Sequence, residues 1–182
     1  YVLNGSKTWI SYATVADVAI VYAYTDPEAK TKGLSGFIVE MNTPGIETRE
    51  IHKMGSRSYP TGEIVFDNVK VAKENLLGAE GDGARILFGS LPDTRIGCAA
   101  GAVGLAQACL EEAVKYCNER SQFGKPIGSF QMNQAAVADI ATALEAARLL
   151  VYRAAWQKDS GVKNNVLETS YAKMFAANVA MQ

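Results

Sequence analysis

The chain has 182 residues, 48% of them hydrophobic, and 18 Lys and Arg balance 19 Asp and Glu to a formal net charge of −1. That length supports one substantial core or two modest ones. Charge is mixed and nowhere gathers Lys and Arg into a patch, and no apolar run is long enough to span a bilayer, so neither nucleic acid nor membrane insertion is expected.

From Tyr1 to about Leu77 the pattern is that of β-structure. Lys7 to Ser11, Val18 to Tyr24, Gly36 to Met41 and Glu63 to Val71 are short runs rich in Val, Ile, Tyr, Phe and Trp. Asn4-Gly5, Asp26-Pro27, Pro44-Gly45 and Asp67-Asn68 supply turn chemistry between or beside them. No crossover helix fits between the runs, which predicts an antiparallel barrel or sandwich rather than a parallel sheet. The chain opens on Tyr1-Val2-Leu3 without an initiator Met and stops inside a helical pattern at Val179-Ala180-Met181-Gln182; both ends read as cuts through structure, as in a fragment.

From about Gly83 the apolar period changes to 3.6. It predicts one helix up to Arg120, a second from about Ser129 to Lys158 and a third from about Asn165 onward, alanine-rich on their packing faces as close antiparallel helices require. Pro92 lies inside the first pattern and is expected to kink it or to split off a short leading helix near Asp82 to Leu91. Asn165 followed by Glu168 has the form of a capping box. Cys98, Cys109 and Cys117 lie on one helical pattern without metal or disulfide spacing and read as small buried apolar residues. The expected fold is α+β: residues 1–80 form an antiparallel β barrel or sandwich, and residues 81–182 an incomplete antiparallel α-helical bundle.

Between the first two helices stands Glu119-Arg120-Ser121-Gln122-Phe123-Gly124-Lys125-Pro126, a polar elbow with two cations, an aromatic ring, a glycine and a proline. Such a rigid loop suits the presentation of positive charge to an anion, while the plainer reading of Arg120 is a charge at the end of a helix dipole.

Ala100 to Gln107, Tyr116…Glu119-Arg120…Phe123-Gly124-Lys125 and Phe130-Gln131 occur in an order and spacing that resembles the acyl-CoA dehydrogenases, and the resemblance covers nearly all of the chain. It implies α,β-dehydrogenation of an acyl-CoA thioester, in which a carboxylate takes the α-proton and FAD takes the β-hydrogen as hydride. It also implies an electron-transfer flavoprotein as reoxidant, a homodimer or homotetramer, and a bacterial cytoplasmic or mitochondrial matrix setting. A flavin-free relative serving as a structural or assembly subunit is the alternative.

Residue by residue, the resemblance places Arg120 on the FAD pyrophosphate of a neighbouring subunit, with Ser121, Gln122, Phe123, Phe130 and Gln131 lining that site. Trp9, Ile10 and Ser11 correspond to the segment that packs on the flavin ring and hydrogen-bonds near N5; a core Trp beside a strand-end Ser is the plainer reading. Lys53 to Ile64 resembles a shaped family loop in which Tyr59 replaces a commoner Ser. Arg57 reads there as a structural hydrogen-bonding residue, and His52 as an ordinary surface group. Asp93, Thr94 and Arg95 correspond to the motif near the thioester and pantetheine arm, although Asp93 and Arg95 also suit an ion pair or cap beside the Pro92 kink. Lys30 to Lys32 suits a CoA phosphate as well as it suits a solvated loop. Several branched-chain members place their catalytic Glu where Thr94 stands, so the base is expected on a Glu beyond Gln182, with Asp93 as the weak internal rival.

Overall fold

The computed structural model describes all residues from Tyr1 to Gln182 and contains two compact units, Tyr1–Phe88 and Gly89–Gln182. The first holds strands β1 (Val2–Ser11), β2 (Val18–Tyr24), β3 (Leu34–Glu40), β4 (Ile46–Glu50), β5 (Thr61–Lys70) and β6 (Leu76–Leu77). They form two three-stranded sheets, ordered β1-β5-β4 and β2-β3-β6, with antiparallel pairing throughout. The sheets share no strand pairing, so there is no closed barrel. Leu3, Ile64, Phe66 and Val69 of one sheet and Val21, Phe37 and Val39 of the other belong to a single buried cluster, the inner layer of a sandwich.

Two strands lay below the reach of pattern reading. β4 has only Ile46 to bury and otherwise carries exposed charged and polar residues, the composition of an edge strand. β6 is two residues long and pairs only with Gly36 and Phe37. Asn4-Gly5 and Asp67-Asn68 are not turns between strands. They face one another inside β1 and β5 at an irregularity of the ladder, where Asn68 takes φ 51° and its N–H donates to Asn4 Oδ1 at 2.8 Å. Lys30 to Lys32 lie in the connection between the antiparallel partners β2 and β3, within a 3-10 segment, Pro27–Gly33, whose first turn is held by Asp26 Oδ1 accepting from the Glu28 N–H at 3.1 Å. Pro44-Gly45 does turn the chain into β4: Gly45 has φ 94°, and a Cβ there would collide with the Asp67 carbonyl.

The second unit is built on helices α1 (Gly83–Glu119), α2 (Gln131–Asp159) and α3 (Val166–Met181), the first of which begins in the β unit. Ala99, Val103 and Ala106 of α1, Leu144, Ala147, Val151 and Ala154 of α2, and Ala172, Ala176 and Val179 of α3 form one core. Ala147, Ala154, Ala172 and Ala176 are almost fully buried, and their small side chains let α2 and α3 make the closest helix pairing of the unit. The short link 160–165 returns the chain along α2.

Two sequence expectations fail here, and one alternative of a third. α1 runs unbroken through Pro92, so no separate leading helix forms, although Pro92 leaves the Phe88 carbonyl without its donor four residues on. Asn165 makes no capping hydrogen bond. Its side chain is buried, Glu168 pairs with Arg153 at 3.6 Å, and Asn164 Oδ1 accepts from the Val166 N–H instead. Cys98 and Cys109 are exposed and Cys117 is half-buried, because they project from parts of α1 that the other two helices leave uncovered.

At the start of α1, Asp82 accepts from Arg85 Nε at 3.2 Å and from the Ala79 N–H at 3.1 Å. The Arg85 hydrogen bond first and the Ala79 N–H second hold its carboxyl below the ordinary carboxylate range. A depressed native pKa contributes stability that is complete above the unfolded pKa and is lost as pH falls through the native one. Urea unfolding between about pH 6 and about pH 3 should therefore show a shallower loss of stability in Asp82→Asn than in the parent protein.

Candidate functional site

The elbow between α1 and α2 is a β-hairpin. β7 (Ser121–Gln122) pairs with β8 (Lys125–Pro126), and the hairpin is closed at its base by the Ile127 N–H donating to the Arg120 carbonyl at 2.8 Å. Its two central residues, Phe123 and Gly124, have φ 52° and 79°, the doubly left-handed geometry that a two-residue hairpin of natural twist demands. Gly124 adopts it freely, whereas Phe123 does so against the steric preference of a side chain with a Cβ. Phe123 is nevertheless 90% exposed, meeting Phe130 edge-on with ring centroids 6.2 Å apart. Lys125 Nζ sits 4.5 Å from the centre of the Phe130 ring.

The hairpin and the start of α2 also carry uncommitted polar groups. The Arg120 backbone is engaged at both ends, its N–H on the Tyr116 carbonyl at 2.9 Å, yet its exposed guanidinium has no partner in the chain. The side chains of Ser121, Gln122 and Gln131 are likewise exposed and make no hydrogen bond. Phe130 occupies the N-cap of α2 and Gln131 opens the helix. Asn133 Nδ2 and Gln134 Nε2 fix the connection by donating to the carbonyls of Ile127 and Gly128 at 2.8 and 2.9 Å. A guanidinium, a hydroxyl and two amides beside an outward aromatic ring form a donor set for an anionic, phosphate-bearing group with a planar part.

In the β unit, Thr8 and Trp9 stand opposite the single residue Glu63, a bulge between the Lys7–Ile64 and Ile10–Gly62 pairs. Trp9 sits in it with φ 63° and is 67% exposed, so it is not a core residue. Ile10 turns partly inward against the sandwich core, and Ser11 is exposed at the strand end. Tyr12, which pattern reading passed over, follows with φ 60° and stacks obliquely on Tyr59 at 4.3 Å between ring centroids. Tyr59 is held in turn by Lys53, whose Nζ donates to its carbonyl at 2.6 Å. His52 is exposed. Arg57 is exposed too and makes no side-chain hydrogen bond, which corrects its reading as a structural hydrogen-bonding residue: the loop around it is fixed by Lys53 and Tyr59.

The third group lies on the turn of α1 that follows Pro92. Asp93 forms an ion pair with Lys158 of α2. Thr94 Oγ1 donates back to the Leu91 carbonyl at 2.9 Å, and Arg95 Nη1 donates to Ser170 Oγ of α3 at 3.1 Å. The plainer reading thus describes the Asp93 carboxylate, which a cation already engages. Glu111, Glu112, Glu119, Asp139 and Glu145 are all exposed.

An antiparallel β-sandwich in one unit, and in the other three helices with a hairpin that displays an aromatic ring, define an α+β protein. The chain belongs to the acyl-CoA dehydrogenase family: residues 1–69 match the family's middle domain and residues 81–182 its C-terminal domain. It is 61% identical over 182 residues to glutaryl-CoA dehydrogenase of Desulfococcus multivorans, covering all of this chain and 46% of that protein. It is 49% identical over 183 residues to cyclohex-1-ene-1-carbonyl-CoA dehydrogenase of Geobacter metallireducens, again over all of this chain and 48% of the relative. A solved glutaryl-CoA dehydrogenase in complex with glutaryl-CoA superposes with a TM-score of 0.93 at 60% identity, over 99% of this chain and 48% of that one. The chain spans about half the length of the relatives it matches.

Asn tolerates the left-handed backbone far better than Phe. Phe123→Asn should therefore relieve about 1 kcal/mol of local strain and leave thermal stability equal or higher, while weakening retention of the cofactor. Differential scanning calorimetry and cofactor titration on the same preparation check both arms.

Proposed function

We propose that the protein containing this chain catalyses the α,β-dehydrogenation of an acyl-CoA thioester with FAD as its cofactor. The observation that carries the reading is the free Arg120 guanidinium at the base of the hairpin whose tip displays the outward Phe123 ring. A residue that merely compensated a helix dipole would need neither the strained hairpin nor the aromatic neighbour. FAD, when bound, supplies the hydride acceptor.

The chain's residues divide the remaining work. Arg120 would neutralise phosphate charge, with Ser121, Gln122 and Gln131 donating or accepting at polar edges and Phe123 and Phe130 supplying aromatic surface. Trp9 would cover a planar ring and exclude water from one side, and Ser11 would direct its hydroxyl to a ring heteroatom. Ile10 anchors that segment to the sandwich core. Arg95 and Thr94 would lie on the substrate side, with Asp93 fixing their turn through Lys158. The base would be a Glu supplied by the remainder of the complete protein, with Asp93 as the weaker rival within this chain. Glutaryl-CoA is the first thioester to test, since the relative at 61% identity is named for it. An electron-transfer flavoprotein as electron acceptor, a homodimeric or homotetrameric assembly, and a bacterial cytoplasmic or mitochondrial matrix location belong to the same reading. No helix of the chain is long and apolar enough to cross a membrane. A flavin-free structural subunit is not favoured, because it has no use for exposed aromatic rings held in left-handed backbone.

In the complete protein, Arg120→Ala should remove a charge-assisted contact worth about 1.5–3 kcal/mol and weaken FAD about tenfold or more; flavin retention equal to that of the parent protein would defeat the assignment. Changing the downstream Glu to Gln should abolish dehydrogenation while the protein stays yellow and binds acyl-CoA, whereas Asp93→Asn should keep appreciable turnover. The reverse pattern in single-turnover flavin reduction would move the base to Asp93.

A further inference from the structure

Pro92 cannot donate to the Phe88 carbonyl, so α1 lacks one backbone hydrogen bond in the turn that ends at Pro92. On the turn that follows, side chains reach two other helices: Asp93 reaches Lys158 on α2, and Arg95 reaches Ser170 on α3. The second contact is directional. Ser170 Oγ lies 2.6 Å from the Val166 carbonyl, one turn back on its own helix, and a hydroxyl has one proton to give. Spending that proton on Val166 turns the lone pairs of Ser170 outward, where one accepts from Arg95 Nη1 at 3.1 Å. Arg95 is half-buried, and a long guanidinium side chain without this contact would sample several rotamers.

We propose that Ser170 is a positioning residue for Arg95, and that its Val166-directed hydroxyl holds the guanidinium in the single orientation from which its remaining N–H groups meet the acyl-CoA. The inference rests on the substrate-side reading of Arg95 given above. It does not make Ser170 a contact of the substrate. Ser170 acts through a donor that it leaves four further N–H groups free to use. The hydroxyl is the operative feature, so Thr, which can make the same back-bond to the carbonyl four residues earlier, should substitute where Ala cannot.

The test is a double-mutant cycle in the complete flavin-loaded protein, with steady-state kinetics on acyl-CoA and spectral titration of the bound flavin. Ser170→Ala should raise KM and the acyl-CoA dissociation constant about threefold to tenfold with kcat changed less than about twofold. Ser170→Thr should stay within about twofold of the parent protein, and Ser170→Ala should have no further effect in an Arg95→Ala background. If Ser170→Ala changes KM equally with and without Arg95, or Thr fails to rescue, Ser170 is only a helix-packing residue and the proposal is overturned. If Arg95→Ala itself leaves KM and the dissociation constant unchanged, the substrate-side reading fails and takes the positioning role with it; the single Arg95 variant separates that failure from the other two.

Discussion

The requirement that a two-residue hairpin place both central residues in the left-handed region governs the helical unit. Phe123 and Gly124 meet it, the Ile127 N–H closes the ladder on the Arg120 carbonyl, and the chain is reversed between two helices of 37 and 29 residues. The closed hairpin sets where α2 starts, with Phe130 as its N-cap, and thereby which faces of α2 meet α1 and α3. The same constraint drives Phe123 outward and leaves Arg120 at the hairpin base with its guanidinium free. A bulky residue in such a conformation costs about 1–3 kcal/mol, which fits a position kept for its ring rather than for stability.

The β unit repeats the principle by another route. An extra residue in β1 opposite Glu63 breaks strand alternation, so Trp9 leaves the pleat in left-handed backbone with most of its surface in solvent. An unbulged strand would have forced successive side chains to opposite faces of the sheet, and adjacent Trp9 and Ile10 would have kept the strict two-residue period. Ile10 packs on the core while Trp9 and Ser11 stay exposed, and the bulge adds the left-handed backbone at Trp9. In both units an exposed aromatic stands at the residue where regular secondary structure is interrupted.

Polar contacts between helices do a different task from the alanine core. Ala147, Ala154, Ala172 and Ala176 permit close approach but specify little beyond it. Lys158 with Asp93, Ser170 with Arg95, Arg153 with Glu168, and Arg148 with Gln107 at 2.7 Å each fix one helix against another at a named point. Two of these four contacts, those of Asp93 and Arg95, lie on the turn of α1 just after Pro92.

Much of this was legible in order along the chain. The period change near Gly83, the apolar runs and the turn residues predict the α+β arrangement, and the Arg-x-x-Phe-Gly-Lys elbow with Phe130-Gln131 carries the family. These are local signals, set by propensities and spacings within one or two turns of chain. The sequence does not show that Cys98 and Cys109 are exposed, because burial depends on which helix faces neighbours cover. Nor does it show that Asn4 and Asn68, 64 positions apart, answer each other across a bulge, or that Ser170 holds Arg95 across 75 positions. The candidate site residues were singled out by sequence alone. Their backbone strain, their freedom from internal partners and the contacts that aim them were decided by tertiary structure, since each depends on groups that only folding brings within hydrogen-bonding distance.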